Sequence, residues 1–266
     1  MRPKHILRLT LVSTLVLVLS LGLYSFGRGT SPSAGSQGAN KAFADSEGEA
    51  GIVDGVGSAL PATYESAKSA FAAVLLDGAL AYCPYYPYDD ASVFYTLDDI
   101  LRSLSDVAVA TVFATSDIDG DGIPEVALEL QANEQGTAVC YLLLHYSAKD
   151  GLVSMIMLSD RCFNGLKENG MFSSSGGHTH SYCRFYFPGY SEELPRDSVD
   201  CIVRLATEDF NDIQIDESGM SLPTWYVNGE LASGNDFAEV RLIYNSSPSA
   251  AWHEYTEDNL LLVLDS

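Results

Sequence analysis

A dense group of acidic side chains lies at residues 117–125, whose sequence is DIDGDGIPE. Carboxylates stand at odd positions of this run: Asp117, Asp119, Asp121 and Glu125. A chain that wraps a small cation turns alternate side chains inward, and calcium takes six to eight oxygen ligands at about 2.3–2.6 Å. Because crowded carboxylates repel one another, the spacing predicts a bound hard cation.

Two more residues of this run fit a calcium loop. Gly122 can adopt the sharp turn that other residues resist, and Ile123 would offer its backbone carbonyl. The run is not a complete EF-hand, because Leu128 stands where that motif needs a bidentate Glu. The sequence therefore predicts a structural Ca²⁺ site formed by Asp117, Asp119, Asp121, Ile123 and Glu125. The alternative is a plain acidic turn, since Asp and Gly are common in turns.

The loop resembles the strand-loop-strand calcium turns of FG-GAP-type repeats. It also resembles a set of uncharacterised exported proteins of Gram-positive bacteria, in which such a loop leads into a strand like Val126–Leu128. The resemblance is close over 117–125 and looser at 226–230 and 252–259. It implies calcium ligation by the four carboxylates. It does not point to any particular activity. An FG-GAP propeller repeats the loop, and this chain has it once.

His178 and His180 follow Ser173–Gly177, which the sequence predicts to be a flexible turn. Residues two apart on a strand share a face, so both imidazoles could hold a transition metal. A polar loop without a metal is the alternative, because the sequence indicates no third ligand.

Four tyrosines, Tyr82, Tyr85, Tyr86 and Tyr88, surround Cys83 and two prolines. Such a cluster could form an aromatic face that binds sugar rings. The alternative is that these rings pack over the core, as aromatic side chains in proline-containing loops more often do.

The chain has an odd number of cysteines: Cys83, Cys140, Cys162, Cys183 and Cys201. An exported chain can form disulfides, so one interpretation is two disulfides and one free thiol. Sequence alone does not give the pairing. The alternative is that these cysteines are small buried hydrophobic residues.

The apolar periodicity predicts an α+β fold with helices at both ends of an antiparallel sheet or meander. Helices are expected at 61–81, after Thr96 to Leu104, at 236–244 and from Thr256 to Leu264. Strands are expected at 107–114, 125–130, 139–146, 152–158, 180–187 and 201–205. Asn228-Gly229 predicts a tight turn.

The first residues predict export. Arg2, Lys4 and Arg8 precede the uncharged run Leu9–Gly27. As a helix this run would reach about 28 Å, close to the hydrocarbon thickness of a bilayer, about 30 Å. Residues 1–27 are thus predicted to be a signal peptide or an N-terminal membrane anchor. Residues 28–60 are rich in Ser, Gly and Ala and predict an acidic linker before a globular domain at 61–266.

The charge of the chain excludes some partners. The net charge is −22, and five of the 14 basic residues precede Asp45, which leaves 9 against all 36 acidic residues. Nucleic acid is excluded because phosphate binding needs clustered Lys and Arg. Calcium is favoured, and the only membrane contact expected is through the N-terminal segment.

These observations predict a secreted or cell-surface calcium-binding protein. It would act by binding an extracellular ligand or as an envelope component. The alternative is an exported hydrolase with dispersed catalytic residues. The sequence has no Gly-x-Ser-x-Gly, His-Glu-x-x-His or phosphate-binding glycine loop, and this favours the first hypothesis.

Overall fold

The computed structural model describes residues 62–85, 94–105, 108–131, 138–190 and 197–265. All of them belong to one compact unit, Ser58–Ser266. The predicted N-terminal segment and linker, residues 1–60, lie outside the described residues, as do Tyr86 and Tyr88. The described helices are α1 (Ala62–Leu75), α2 (Leu97–Leu104), α3 (Gly234–Ser246) and α4 (Glu257–Leu264), with a short 3-10 helix at Ser198–Cys201.

The described strands form two sheets. The first is seven-stranded and consists of β1 (Ala81–Tyr82), β2 (Phe94–Tyr95), β3 (Val109–Ser116), β4 (Glu125–Gln131), β5 (Ala138–Ser147), β6 (Leu152–Ser159) and β12 (His253–Glu254), in the order β12-β3-β4-β5-β6-β1-β2. The second is five-stranded and consists of β7 (Phe172–Gly176), β8 (Thr179–Phe185), β9 (Ile202–Ile215), β10 (Ser221–Val227) and β11 (Glu230–Ala232), in the order β11-β10-β9-β8-β7. Neighbouring strands are antiparallel except β1 and β6, which are parallel.

The first sheet is buried on both faces. One face packs against α1, α2 and α4 through residues that include Leu128 and Leu142. The other face packs against the second sheet through residues that include Ala127 and Leu143. On the far side of the second sheet, α3 contributes Phe237 to a smaller cluster. The layers are therefore helices, sheet, sheet and helix, and the expected mixture of helices and antiparallel strands is confirmed, but with two sheets.

This burial explains the sequence of the central strands. β4 and β5 are almost continuously apolar because neither face meets water, whereas a sheet with one solvated face would alternate apolar and polar residues. Glu125 and His145 interrupt these runs and are nevertheless buried. The burial of these two polar residues therefore needs a separate explanation.

Several predicted elements differ in length from the observed ones. The first helix ends at Leu75, not at residue 81, because Gly78 adopts φ +68° and the Ala79 N–H turns back to donate to the Ala73 carbonyl. The segment Ser173–Gly177, expected to be a flexible turn, lies mostly in β7, because β8 pairs with it. The last strand predicted, 201–205, extends to Ile215 because β10 pairs with it.

The local capping and turn signals are confirmed. Thr96 forms a capping box with Asp99 at the start of α2, and Thr256 accepts the Asn259 N–H at the start of α4. Asn228 and Gly229 both have positive φ, 51° and 79°, in the tight turn between β10 and β11. Each of these signals depends on residues a few positions apart, so it can be recognised from the sequence alone.

The interpretation of the cysteines as two disulfides is wrong in this structure. All five are free thiols, and four are buried: Cys83, Cys140, Cys183 and Cys201. They serve as small apolar residues, Cys83 and Cys140 in the helix-side core and Cys183 and Cys201 between the sheets. Burial raises the pKa of the Cys183 thiol to about 12.

We predict that adjacent residues of β5 are equally intolerant of truncation. Leu142→Ala and Leu143→Ala should each lower the free energy of unfolding by about 2–5 kcal/mol, since each leucine is fully buried on its own face. Leu262→Ala, on an exposed side chain of α4, should change it by less than about 0.5 kcal/mol. Urea unfolding measures all three. A mild effect of either β5 substitution would contradict burial of both faces.

Candidate metal centre

The acidic loop connects two antiparallel strands of the first sheet. Ser116 at the end of β3 pairs with Glu125 at the start of β4, and the intervening residues form the turn. Gly120 and Gly122 have φ of +86° and +87°, a backbone region that L side chains rarely adopt. The glycines therefore allow the chain to curl around its own carboxylates.

The aspartates of the loop accept hydrogen bonds from its backbone. Gly120 and Gly122 N–H groups donate to the two carboxylate oxygens of Asp117 over 2.8 and 3.2 Å. The Asp121 N–H donates to Asp119 Oδ1 over 3.1 Å, and the Ile123 N–H donates to Asp121 Oδ1 over 2.7 Å. These bonds hold the three side chains toward the inside of the turn.

Glu125 is the innermost carboxylate of the centre. Its side chain is fully buried. Oε2 accepts the Ile118 N–H over 2.6 Å, and Oε1 lies 3.0 Å from Nδ1 of His145. A buried carboxylate needs such partners, because leaving it unpaired away from water is costly. The predicted ligand Glu125 is therefore also the anchor of the loop on β4.

His145 is a site residue that the sequence analysis missed. It lies on β5, its Nδ1 is 3.5 Å from Asp119 Oδ2, and its ring stacks on Phe187 with centroids 4.5 Å apart. One signal was available, since His145 directly follows the apolar run Leu142–Leu144 and β5 has no other His, Lys, Arg, Asp or Glu. Its distance along the chain from the loop concealed its role.

Two groups of possible ligands meet at this centre. The carboxylates of Asp117, Asp119 and Asp121 have oxygens within 4.8 Å of one another. Ligand atoms of Asp119, Glu125 and His145 also lie within 4.8 Å of one another, so Asp119 belongs to both groups. The structure thus brings together the four predicted carboxylates in two overlapping sets. Ile123 lies in the same turn and packs its side chain against the helix-side core.

The centre continues across the sheet as a row of buried polar residues. Ser116 pairs with Glu125, and His145 pairs with Ser154 on β6. All four residues are buried. Their strands are consecutive in the sheet, so the row runs across the sheet at one end of a face that is otherwise apolar.

The electrostatics of this row favour positive charge. Burial raises the pKa of Glu125 to about 7, although the His145 hydrogen bond lowers it. Burial also raises the pKa of Asp119, while the charge of His145 acts in the opposite sense. For His145, burial lowers the pKa, but the hydrogen bond to Glu125 and the charges of Glu125, Asp119 and Asp121 outweigh it, and the pKa is raised. All three shifts favour proton uptake, which burial explains for the two carboxyl groups and the nearby carboxylates explain for His145.

The loop also contacts the second sheet and the segment that leads to it. Ser116 donates through Oγ to the carbonyl of Lys167 over 2.9 Å. Gly170 lies so close that an added Cβ would be 2.0 Å from the Asp117 carbonyl oxygen. An added Cβ at Gly120 would be 2.9 Å from Nη1 of Arg184 on β8. Residues 116–120 are therefore packed against the second sheet as well as built into the first.

The other candidates remain separate from this centre. His178 is exposed in the turn before β8, and His180 lies on β8 with its ring against Tyr182. Neither belongs to a metal-competent group among the residues described. Tyr82 is buried against Phe94 and Tyr190, in keeping with a ring that packs on the core.

Comparison of the chain with protein-family models, with curated proteins and with solved structures finds no match. Within the described ranges, no helix is both long and apolar enough to cross a membrane, and the apolar run Leu9–Gly27 lies outside those ranges.

We predict that Gly170→Ala disrupts the centre more than a positive φ alone explains. Gly170 and Gly219 have similar φ, +77° and +81°, but an added Cβ contacts nothing within 4 Å at Gly219. Gly219→Ala should cost about 1–2 kcal/mol from backbone strain. Gly170→Ala should cost about 2 kcal/mol more, because backbone atoms of Asp117 must move. Thermal unfolding of both variants measures the difference, and equal costs would contradict the close packing.

Proposed function

We propose that this chain is an exported, secreted or cell-surface protein in which one calcium ion has a structural role. The ion would be bound by Asp117, Asp119, Asp121, the Ile123 carbonyl and Glu125. The protein would act by binding an extracellular ligand or as an envelope component. The observation that carries the proposal is the convergence of the three aspartate carboxylates within 4.8 Å in a turn already closed by their own backbone hydrogen bonds.

Calcium fits this centre better than other ions. The loop offers carboxylate and carbonyl oxygens, which calcium prefers, and the geometry of calcium sites tolerates a flexible loop. Magnesium needs near-ideal octahedral geometry at about 2.0–2.1 Å. Zinc prefers imidazole and thiolate, and His145 is the only such group near the loop in the described ranges. His145 is instead engaged with Glu125.

The position of the loop supports a structural role. A pocket on the first sheet is lined by residues that include Glu129, Tyr141 and Trp252 and by no residue of the loop. Glu129 is four positions beyond Glu125 on β4, or about 13 Å along the strand. The loop instead contacts the segment around Gly170, which leads into the second sheet. A bound ion would therefore stabilise the contact between the two sheets.

Export is supported by the chain itself. The basic residues and apolar run at 1–27 are typical of a signal peptide or anchor. Extracellular calcium sites bind at about 10⁻⁴–10⁻³ M, an affinity that suits millimolar calcium outside the cell. The excess of acidic residues would also concentrate cations near the protein.

Calcium should stabilise the full-length protein against heat. If the dissociation constant is roughly 0.1 mM, calcium at roughly 1 mM would add about 1.4 kcal/mol by linkage. For a domain of this size, this corresponds to an increase in Tm of about 3–6 °C over the protein in chelator. An unchanged Tm together with no calorimetric heat of binding would remove the calcium proposal. Zinc binding at micromolar concentration that is lost in His145→Ala would instead indicate a zinc site formed by Asp119, Glu125 and His145.

Two alanine variants should separate a ligand from the anchor. Asp121→Ala removes an exposed carboxylate, so it should weaken calcium binding at least tenfold and change the stability of the calcium-free protein by less than about 0.5 kcal/mol. Glu125→Ala leaves the Ile118 N–H without its partner and leaves His145 with only the longer contact to Asp119. It should therefore cost about 3 kcal/mol or more even in chelator.

Asp77→Ala is the control for these variants, because it removes an exposed carboxylate outside the loop. It should leave both calcium affinity and stability unchanged. Calorimetric titration and urea unfolding are the measurements. If Asp121→Ala bound calcium as well as Asp77→Ala, the loop would not be the calcium site.

A further inference from the structure

A second polar feature lies on the same face of the first sheet, at the end remote from the acidic loop. It is a pocket of about 250 Å³ whose lining includes Val112, Glu129, Tyr141, Phe163 and Trp252. Cross-strand pairing places Val112 beside Glu129 and Glu129 beside Tyr141. Alternation along β4 puts Glu129 on the same face as Glu125, so strand geometry accounts for its position.

The carboxylate of Glu129 is held in place by neutral donors. Gln131 Nε2 donates to Oε1 over 3.1 Å, and Thr111 Oγ1 lies 3.4 Å from the same oxygen. The Tyr141 hydroxyl donates to Oε2 over 3.4 Å. No Lys, Arg or His of the described segments forms an ion pair with Glu129. Its negative charge is oriented and has no cationic partner there.

Aromatic rings form the adjacent wall of the pocket. Tyr141 lies between Phe163 and Trp252, with centroid distances of 5.2 and 5.9 Å and interplanar angles of 57° and 56°. Trp252 is 36% exposed, so part of its ring is accessible from solvent. The pocket therefore combines one fixed carboxylate with tilted aromatic faces.

We propose that this pocket binds an organic ammonium ion. The ammonium charge would lie against Glu129, and its apolar substituents would contact the rings of Tyr141 and Trp252. Aromatic faces attract cations through the ring quadrupole, by about 0.5–2 kcal/mol per contact. This adds to the attraction of the carboxylate in a protein that is acidic as a whole.

The lining argues against other ligand classes. A sugar needs several polar partners for its hydroxyl groups, but the Tyr141 hydroxyl is already bonded to Glu129. A bare metal ion needs many oxygen ligands, and the remaining walls are apolar or aromatic. An anion would be repelled by Glu129. One positive charge with an apolar surface is the chemistry that the pocket complements.

Choline and its uncharged isostere 3,3-dimethylbutan-1-ol provide the test. The two have the same shape, and a carbon atom replaces the charged nitrogen. Saturation-transfer NMR titration of the full-length protein in calcium at constant ionic strength should show choline binding at least tenfold more tightly. Equal binding of both compounds, or no binding of choline, would overturn the proposal.

Variants locate the binding to this pocket. Glu129→Gln keeps the side-chain shape and removes the charge, so it should weaken choline binding at least tenfold. Glu217→Gln makes the same change at an exposed turn and should have no effect. Trp252→Leu should also weaken binding and carries the test if Glu129→Gln fails to fold in thermal melts. Choline affinity that is identical in Glu129→Gln and Glu217→Gln would overturn the assignment.

Two further arms separate this proposal from others. Asp121→Ala should retain choline binding, so failure of the calcium site and failure of this pocket give different results. Vesicles of phosphatidylcholine present the same ammonium group as a lipid headgroup. Sedimentation of the protein with such vesicles, but not with the Glu129→Gln variant, would assign a headgroup as the source, and binding of choline alone would assign a free solute.

Discussion

The centre depends on a carboxylate that the fold buries completely. Glu125 lies at the first position of β4, between a helix layer and a second sheet, where water does not reach it. Among the residues described, the Ile118 N–H and His145 compensate for the lost hydration. Removing a charge from water is tolerable only when its partners are fixed. The tight turn after Ser116 presents the Ile118 N–H to this carboxylate, and the stacking of His145 on Phe187 packs the imidazole ring beside it.

The period of two along a strand organises the whole face that carries this carboxylate. Glu125, Ala127 and Glu129 face the same side of β4. On β5, His145 contacts Glu125, and Leu143 and Tyr141 pair with Ala127 and Glu129. The middle of the face is apolar and is covered by the second sheet, while polar groups occupy both ends. The calcium proposal and the ammonium proposal thus concern opposite ends of the same two strands. The charged groups of the two proposed sites are separated by buried apolar residues, so each site can be tested independently.

Local patterns in the sequence predicted the parts of the molecule that local interactions determine. The acidic spacing of the loop, the caps at Thr96 and Thr256 and the Asn228-Gly229 turn each depend on residues a few positions apart. The carboxylate group of the loop was therefore accessible to sequence reasoning, although the ion that it would bind stays a proposal. His145 was not accessible, because only sheet register brings β5 beside the loop. The strand character of Ser173–Gly176 was hidden for the same reason, since small polar residues become a strand there only by pairing with β8.

The contacts between the loop and the second sheet explain why an ion bound at this loop would affect more than the loop. Ser116 bonds to the Lys167 carbonyl, Gly170 touches the Asp117 backbone and Arg184 lies over Gly120. Arg184 also donates to the Asn169 carbonyl over 3.0 Å, which links the segment before β7 to β8. A cation that fixes Asp117 and Asp119 would restrict the backbone that all of these groups contact. Any gain in order at the loop would therefore be shared by the segment at 167–170 and by the edge of the second sheet.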